Sequence, residues 1–358
     1  MDPCLYVFTK NEKRDPIVLV VWVDDMLVAA ARLESLSTFK SAMAAEFRIT
    51  DLGPASWFLS MRITRAGDVL TIDQESYIDE LLVRFGLANA NRALTPLQPG
   101  ATFQATEDAV PEASAMGDDD DVSRYRELIG ALLYVAIGTR PDISFAVGQL
   151  SRFLAVPMRK HMGAARQVLR YLRGTKALGL TYGAAGAVRA VFGDAQECAG
   201  KSVLVGYADA SHASDVSTRR SVGAYVFFIN GGAVAWRSHL QPMVTLSSTE
   251  AEYVALSDAA QEAVYLRNVL AFLDVSQGVT IMFEDNQPCI HIATNPVVTP
   301  RVKHVDTRYH FVREQVVKKK IALRHVESAG MLADVLTKAL ARPAFCAMRD
   351  RLLGLLTS

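Results

Sequence analysis

The chain has 358 residues, of which 50% are hydrophobic and 21% charged; this is a globular composition, and the length is too great for one average domain. Lysine plus arginine and aspartate plus glutamate each count 38, so the overall charge does not indicate a nucleic-acid partner, which would need a local basic surface. The most apolar stretch, residues 17–31, contains Asp24 and Asp25, which excludes a membrane helix there. With four widely separated cysteines, we expect reduced thiols, no membrane partner and an intracellular, cytoplasmic location.

The first half of the chain alternates short strand and helix patterns. Residues 17–23 and 26–30 are apolar and rich in β-branched side chains, which predicts a hairpin with Asp24 and Asp25 at its tip. Farther along we predict a helix at 33–47, strands at 57–63 and 68–72, and a helix at 74–85 closed by Gly86. Residues 96–122 are rich in proline and glycine and end in four aspartates, Asp118 to Asp121, which predicts a solvated linker without a functional role.

The second half begins with helical patterns and continues as an α/β series. The helical patterns cover residues 125–137, 143–154 and 161–173. Next come predicted strands at 203–208, 221–229 and 234–236, a helix at 248–272, a strand at 280–284, a helix at 307–317, a strand at 321–326 and a helix at 331–340. This order predicts a layered α/β domain around one sheet.

Four acidic residues lie at the ends of predicted elements in this last region. Asp209 and Asp285 end strands, and Glu252 and Asp334 lie in the first turns of helices. Each alone is an ordinary turn former or helix-start acid. Together at one sheet edge they would repel one another unless Mg²⁺, which prefers oxygen ligands, neutralised them. Two such ions about 4 Å apart would activate a water molecule and stabilise the leaving oxygen of a phosphodiester.

Two glutamates at the start of the long helix compete for a place among these acids. The run Ser247-Ser-Thr-Glu250 fits a capping box, and so does Thr249-Glu-Ala-Glu252. Residues two apart on a helix point to different sides, so at most one of the two glutamates faces the other acids. The pattern of residues leaves the choice open.

Four motifs then occur in a fixed order: Gly206-Tyr-Ala-Asp-Ala-Ser211, Ser247-Ser-Thr-Glu-Ala-Glu-Tyr253, Glu284-Asp-Asn-Gln287 and Ala333-Asp-Val-Leu-Thr-Lys338. They resemble the ribonuclease H domain of copia-type retrotransposon Pol polyproteins. The resemblance implies a ribonuclease H-like mixed five-stranded sheet with flanking helices. It implies that Asp209, Glu252, Asp285 and Asp334 are the catalytic, metal-binding acids, and it favours Glu252 over Glu250. The implied activity is two-metal cleavage of the RNA strand of an RNA–DNA hybrid, with two Mg²⁺ ions for which Mn²⁺ substitutes.

The resemblance extends upstream. Val23-Asp24-Asp25 is similar to the palm motif of reverse transcriptases, in which the two aspartates hold metals, although Trp22 replaces the usual tyrosine and Ser60 stands where the family has glycine. About 20 residues precede this motif, so we expect the fingers and most of the palm to be missing. Reverse transcription by this chain is then not expected. Asp24 and Asp25 would be a vestigial metal site, or half of one completed by the missing polymerase portion of a longer polyprotein.

These observations predict five segments. They are a truncated reverse transcriptase palm/thumb at 1–95, an acidic linker at 96–122, a helical connection segment at 123–200, a ribonuclease H-like domain at 201–345 and a C-terminal tail at 346–358.

Candidate substrate contacts surround the acids. Arg301, Lys303 and Arg308 belong to the densest basic stretch, which would track the phosphates of a hybrid or simply form a solvated helix face. Ser211, Ser248 and Asn286 lie near the acids in sequence and are candidates for sensing the RNA 2′-hydroxyl. His325 resembles a histidine that helps product leave some ribonucleases H, but it also fits an ordinary strand position.

Three functions remain open at this point. The leading one is an active ribonuclease H. The alternative is a catalytically silent transposon remnant that at most binds nucleic acid, and a weaker third is another nuclease of the same superfamily fold, such as an integrase core. For a retroelement protein, a virus-like particle or the nucleus is also a compatible location.

Overall fold

The computed structural model describes residues 3–8, 16–101, 103, 119–183, 203–295 and 306–355. The first unit is an antiparallel three-stranded sheet in the order β1-β2-β3, followed by helix α1. Its elements are β1 (Leu5–Phe8), β2 (Ile17–Trp22), β3 (Asp25–Ala30) and α1 (Leu33–Glu46). Strand β2 is continuously apolar and pairs with β3 across a tight turn at Val23 and Asp24, so the predicted hairpin is confirmed.

A second antiparallel sheet has four short strands. It contains β4 (Trp57–Phe58), β5 (Met61–Ala66), β6 (Val69–Asp73) and β7 (Leu180–Tyr182), with α2 (Glu75–Arg84) after β6. The single strand predicted at 57–63 is wrong. The chain reverses between β4 and β5 at Leu59 and Ser60, whose φ angles are 50° and 56°, as in a two-residue hairpin turn that follows the twist of its strands. Strand β7 lies about 100 residues after β6 in the chain and pairs with it. This strand was not predicted.

Three helices form a second layer: α3 (Asp119–Gly138), α4 (Ser144–Ser151) and α5 (Arg159–Thr175). Their buried side chains include Leu132, Val147 and Leu169. The linker predicted to run to residue 122 is wrong at its end, because Asp119 to Asp121 form the first turn of α3, where negative charge interacts favourably with the helix dipole. None of the helices in the described ranges has the length and apolar character needed to cross a membrane.

The central sheet has five strands in the order β10-β9-β8-β11-β12. They are β8 (Val205–Ser211), β9 (Val222–Ile229), β10 (Gly232–Leu240), β11 (Thr280–Glu284) and β12 (Ile321–His325). Strands β8, β9 and β10 are antiparallel, whereas β8, β11 and β12 run parallel. The mixed five-stranded sheet with flanking helices confirms the predicted ribonuclease H-like fold class.

Helices cover this sheet: α6 (Ser248–Phe272), α7 (Gln287–Thr294), α8 (Asp306–Val317) and α9 (Arg342–Leu352). The helix predicted at 331–340 is wrong, since that region holds only the short 3-10 helix Leu332–Leu336. Helix α7 was not predicted. The segment predicted as a tail at 346–358 contributes to α9, in which Met348 and Leu352 are buried.

The connection helices pack directly on the five-stranded sheet. The indole Nε1 of Trp236 on β10 donates to the carbonyl oxygen of Ala136 on α3 at 2.9 Å. The hydroxyl of Ser238 donates to the carbonyl oxygen of Leu336 at 2.6 Å, which ties β10 to the 3-10 helix. The 3-10 helix that carries Asp334 is therefore fixed against strand β10.

Candidate metal centre and active site

Three of the predicted acids meet at one edge of the central sheet. A carboxylate oxygen from each of Asp209, Glu252 and Asp285 lies within 4.8 Å of the others. The parallel strands β8 and β11 explain the meeting of the two aspartates. Tyr207 pairs with Phe283, so the residues two positions farther along each strand reach the same edge.

The structure separates the two glutamates at the start of α6. The hydroxyl of Ser247 accepts the N–H of Glu250 at 3.2 Å, and Glu250 Oε2 accepts the N–H of Leu246 at 2.7 Å. Glu250 therefore caps the helix. Glu252 is buried, accepts a hydrogen bond from the Ala210 backbone and turns to the aspartates.

Asp334 lies on the Asp209 side of this cluster. The charge of Asp334 acts on Asp209 and raises its pKa, and the hydroxyl of Thr337 donates to Oδ2 of Asp209. The ammonium of Lys338 lies 2.6 Å from Oδ1 of Asp334. Asp334 is not part of the three-carboxylate group within 4.8 Å, but it extends that group through Asp209.

Burial and mutual repulsion make these carboxyl groups hard to ionise. Burial, followed by the charge of Asp334, raises the pKa of Asp209 to about 7. Burial, followed by Glu284 and Asp209, raises the pKa of Glu252 to about 11. Oε2 of Glu252 is buried without a hydrogen-bond donor among the described residues. Buried oxygen atoms of this kind are costly unless they are paired, and a hard divalent cation matches such a donor set.

A fifth carboxylate lies behind the cluster and was missed by the sequence reasoning. Glu284, the last residue of β11, is fully buried. Its Oε1 accepts the N–H of Asn286 at 3.2 Å. Burial raises its pKa well above the usual value, and Asp209 and Asp285 act in the same direction. The sequence feature that could have indicated this residue is a glutamate at the end of a strand whose other residues are mostly apolar.

The predicted hydrogen-bonding residues near the acids differ in their surroundings. Ser211 is half-buried at the end of β8, and Ser248 is exposed at the start of α6. Oδ1 of Asn286 accepts the N–H of Cys289 at 2.9 Å and so caps α7. His325 is exposed and pairs in register with Glu284, which puts it at the same sheet edge as the carboxylates.

The basic residues predicted to contact phosphates are either paired within the protein or outside the described residues. Nη1 of Arg308 lies 2.6 Å from Oδ1 of Asp258 on α6, so its charge is already balanced inside the protein. Arg301 and Lys303 lie outside the described residues. Of these three predicted contacts, the structure describes only Arg308, and its recorded ion pair is with Asp258.

The aspartates of the palm-like hairpin stand apart. Asp24 and Asp25 are exposed at the β2–β3 turn. Among the described residues, no further acid, histidine or cysteine joins them in a group of three potential metal ligands. Within the described part of the chain, Asp24 and Asp25 are thus two candidate ligands without a third.

Comparisons with known proteins identify relatives of this chain. The family model for reverse transcriptase (RNA-dependent DNA polymerase) matches residues 2–99. The chain is 34% identical over 346 residues to the retrovirus-related Pol polyprotein from transposon TNT 1-94 of Nicotiana tabacum, covering 96% of this chain and 25% of that protein. It is 30% identical over 260 residues to a transposon Ty5-1 protein of Saccharomyces cerevisiae, covering 72% of this chain and 77% of that protein.

Among solved structures, ribonuclease H1 from Halobacterium salinarum aligns with 37% of this chain and 93% of its own length, at 19% identity and a TM-score of 0.27. The chain spans about a quarter of the length of the tobacco polyprotein. The chain is 30% identical to the Ty5-1 transposon protein and covers 77% of it, and it matches the tobacco Pol polyprotein over 96% of its own length; the chain therefore belongs to the copia-type retrotransposon Pol family.

Proposed function

We propose that this chain is a ribonuclease H that hydrolyses the RNA strand of RNA–DNA hybrids. The observation that carries the proposal is the convergence of Asp209, Glu252 and Asp285 within 4.8 Å at the edge where two parallel strands end. Rigid strands and the long helix α6 hold these carboxylates. Such a site fits phosphodiester hydrolysis, because the chemistry needs metal-binding oxygens on fixed supports.

Each acid has a role in this proposal. Asp209, Glu252 and Asp285 would hold one Mg²⁺, and Asp334 with Asp209 would hold a second. When bound, the ions supply an activated water and neutralise the leaving oxygen; Mn²⁺ would substitute because it also takes oxygen ligands. Water adds to phosphorus, the bond to the 3′ oxygen breaks, and that oxygen takes up a proton. The products are a 3′-hydroxyl and a 5′-phosphate.

Substrate selection falls to residues around this edge. Ser211, Ser248 and Asn286 are the proposed contacts to the RNA 2′-hydroxyl, the group that distinguishes RNA from DNA. His325 is exposed beside the end of β11, which supports its proposed role in releasing the cleaved strand. Arg301 and Lys303 remain proposed phosphate contacts, whereas the pairing of Arg308 with Asp258 favours a structural role for that arginine.

The palm-like hairpin leads to a separate proposal. Asp24 and Asp25 are exposed and have no third carboxylate ligand among the described residues. A two-metal polymerase site needs such a ligand. We therefore assign no polymerase activity to the chain alone, and the polymerase portion of a longer polyprotein is its proposed partner. An intracellular location and the remaining segment boundaries are likewise proposals, with the linker ending before Asp119 and the last domain including α9.

The test is cleavage of an end-labelled RNA–DNA hybrid in Mg²⁺. Wild type should cut the RNA strand only, and Asp285→Asn and Glu252→Gln should lose activity by at least a hundredfold. Glu250→Gln is the matched control, since Glu250 caps the same helix outside the cluster. Equal loss in Glu250→Gln and Glu252→Gln would contradict the assignment of the site.

The competing function is a silent remnant that binds nucleic acid without cutting it. Its support is the exposed Asp24–Asp25 pair, which has no third carboxylate ligand among the described residues. The same assay separates the two, because a silent remnant would retain the hybrid on a gel while neither wild type nor variant releases labelled RNA. Cleavage of duplex DNA in preference to the hybrid would instead favour an integrase-like nuclease.

A further inference from the structure

Thr337 is a buried threonine that directly follows the 3-10 helix carrying Asp334. Its hydroxyl donates to Oδ2 of Asp209, a residue 128 positions earlier in the chain. Thr337 is 0% exposed and Asp209 is 2% exposed. The hydrogen bond therefore lies inside the protein, where a solvent molecule cannot take the place of the hydroxyl.

The hydroxyl of Thr337 has one proton and two nearby acceptors. Its Oγ1 also lies 3.2 Å from the carbonyl oxygen of Asp334. That carbonyl oxygen already accepts the main-chain N–H of Thr337 at 3.1 Å and the N–H of Lys338 at 3.2 Å. A carbonyl oxygen has two lone pairs, so both are in use, whereas the carboxylate of Asp209 is the stronger acceptor. The proton is thus directed to Asp209.

The main chain around Thr337 is fixed by the core. The preceding residue, Leu336, is fully buried, and its carbonyl oxygen accepts the hydroxyl of Ser238 on β10 at 2.6 Å. Leu332 and Val335 of the same 3-10 helix are also buried in the core. Because this segment is held in place, the hydroxyl of Thr337 cannot follow a carboxylate that rotates. It is a fixed donor.

Asp209 requires a fixed donor of this kind. Strand pairing of Asp209 with Ala224 holds its main chain, but the last torsion angle of an aspartate side chain is only loosely restrained. One oxygen of Asp209 lies within 4.8 Å of oxygens of Glu252 and Asp285. Since a carboxylate is planar and rigid, a hydrogen bond that holds Oδ2 also determines the direction of Oδ1.

A second hydroxyl contacts the cluster, and it differs in exposure. The hydroxyl of Ser328 donates to Oδ2 of Asp285 at 2.7 Å, but Ser328 is exposed. Water can make a nearly equivalent hydrogen bond at an exposed position. At the buried position of Thr337 no such replacement is expected. Of the two hydroxyl groups, that of Thr337 is therefore the one whose loss should disturb the carboxylates.

We propose that Thr337 is a positioning residue that orients Asp209 for divalent metal binding. The inference rests on the proposed function, because it concerns the same carboxylate cluster. Hydrogen bonds from residues behind metal-binding groups typically change metal affinity or activity by about 10- to 100-fold. If the hydroxyl served only to satisfy a buried group, its removal would lower stability and leave the Mg²⁺ affinity of the folded protein unchanged.

The experiment measures Mg²⁺ binding to the full chain by isothermal titration without nucleic acid. Thr337→Val keeps the shape of the side chain and removes the donor, so its Mg²⁺ affinity should be about tenfold lower. Thr337→Ser keeps the hydroxyl and should stay within about twofold of wild type. In the cleavage assay, Thr337→Val should require about tenfold more Mg²⁺ for its half-maximal rate, with an unchanged KM for the hybrid.

The matched control is Thr139→Val. Thr139 is also 0% exposed, and its hydroxyl donates to Oε1 of Gln74 at 2.8 Å in another part of the core. The control loses the same kind of hydrogen bond outside the cluster and should keep the Mg²⁺ affinity of wild type. Circular dichroism checks folding. If Thr337→Val unfolds, Thr337→Ala decides, since it removes the hydroxyl without placing a methyl group against the carboxylate.

Four results overturn the inference. The first is wild-type Mg²⁺ affinity in a folded Thr337→Val or Thr337→Ala. The second is an equal loss in Thr139→Val, which would make the effect a general one of buried hydroxyl groups. The third is an equal loss in Thr337→Ser, which would show that side-chain shape matters rather than the hydroxyl. The fourth is a wild-type protein that binds no Mg²⁺.

Failure of this inference is distinguishable from failure of the nuclease proposal. Metal titration requires no cleavage, so weaker Mg²⁺ binding by Thr337→Val in a protein that cuts no RNA supports the role of Thr337 and contradicts only the nuclease. RNA cleavage by wild type, with unchanged Mg²⁺ affinity in the variants, contradicts only the role of Thr337.

Discussion

The ammonium of Lys338 lies 2.6 Å from Oδ1 of Asp334, four residues before it in the chain. This contact brings one positive charge to the side of the cluster formed by Asp209 and Asp334. Burial alone would lower the pKa of Lys338, but the charges of Asp209, Asp334 and Asp285 raise it. Lys338 thus acts as an internal counter-ion for acids that a divalent cation would otherwise neutralise.

Lys338→Gln should strengthen Mg²⁺ binding and weaken the metal-free protein. Removing the ammonium leaves the carboxylates more negative, so a competing cation gains about 1 kcal/mol, or roughly fivefold in affinity. The midpoint of thermal unfolding in EDTA should fall by a few degrees for the same reason. Isothermal titration with Mg²⁺ and thermal unfolding in EDTA measure the two effects.

Lys318→Gln is the control, because Lys318 pairs with Glu314 at the same i,i+4 spacing and the same 2.6 Å distance but on an exposed surface. Its Mg²⁺ affinity should not change. Weaker Mg²⁺ binding by Lys338→Gln would show that the lysine supports the metal ligands rather than competing with the metal.

The raised pKa of Asp209 predicts how stability depends on pH. Its folded pKa is about 7 against an ordinary value of 3.8, because of burial and then Asp334. Between about pH 4 and 7 the folded protein keeps a proton that the unfolded chain releases. The free energy of unfolding should therefore fall as pH rises through this window, by up to about 1.4 kcal/mol per pH unit for one such group.

Urea unfolding in EDTA at four pH values from 4.5 to 7.5 tests this. Asp209→Asn keeps a partner for the Thr337 hydroxyl but cannot ionise, so its stability should fall less steeply over the same range. Parallel curves for wild type and variant would contradict the assignment. Mg²⁺ affinity should rise with pH over the same window, because metal binding requires ionised carboxylates.

A buried ion pair in the connection helices predicts a large loss of stability. Arg140 is fully buried, and its Nη2 lies 2.7 Å from Oδ2 of Asp142. Arg140→Met leaves the Asp142 carboxylate buried without its counter-ion, which should cost about 3–5 kcal/mol. The double variant Arg140→Met/Asp142→Leu should recover a large part of that loss, because it removes the stranded charge as well.

Urea unfolding of wild type, Arg140→Met, Asp142→Leu and the double variant, at one pH and in excess Mg²⁺, makes the comparison. A double variant as unstable as the sum of both single variants would show that packing, rather than the uncompensated charge, dominates. The control Arg84→Met removes an exposed partner of Glu127 at 3.4 Å and should change stability by less than about 1 kcal/mol.

The spacing of apolar residues was sufficient to predict those elements of the fold that have a strongly periodic sequence. Helix α6 and strand β11 have the bounds expected from their apolar spacing, and the position of Asp285 follows from the end of that strand. Asp334 was placed on a helix, but its segment is a 3-10 helix of five residues. That segment is shaped by its contacts with β8, β9 and the connection helices, which no local pattern contains.

Long-range contacts also decided the rest of the site. The sequence left Glu250 and Glu252 as alternatives until the family resemblance favoured one, whereas the structure separates them by burial and capping. Glu284 and Lys338 were present in the quoted motifs, yet their part in the cluster depends on strand pairing and on the fold of the last segment. Arg308 pairs with Asp258, 50 positions away in the chain. The density of basic residues in the local sequence could not predict this ion pair.

Ser60 provides the last prediction. It lies at φ 56° beside Leu59 at φ 50°, a left-handed conformation that costs a residue with a Cβ about 1–2 kcal/mol and glycine much less. Ser60→Gly should therefore raise the free energy of unfolding by about 0.5–1 kcal/mol, because the relief of strain exceeds the extra freedom of glycine in the unfolded chain. Ser60→Ala keeps the Cβ and should give no such gain. Urea unfolding of the two variants decides the point, and equal stabilities would mean that the β4–β5 turn is not strained at this residue.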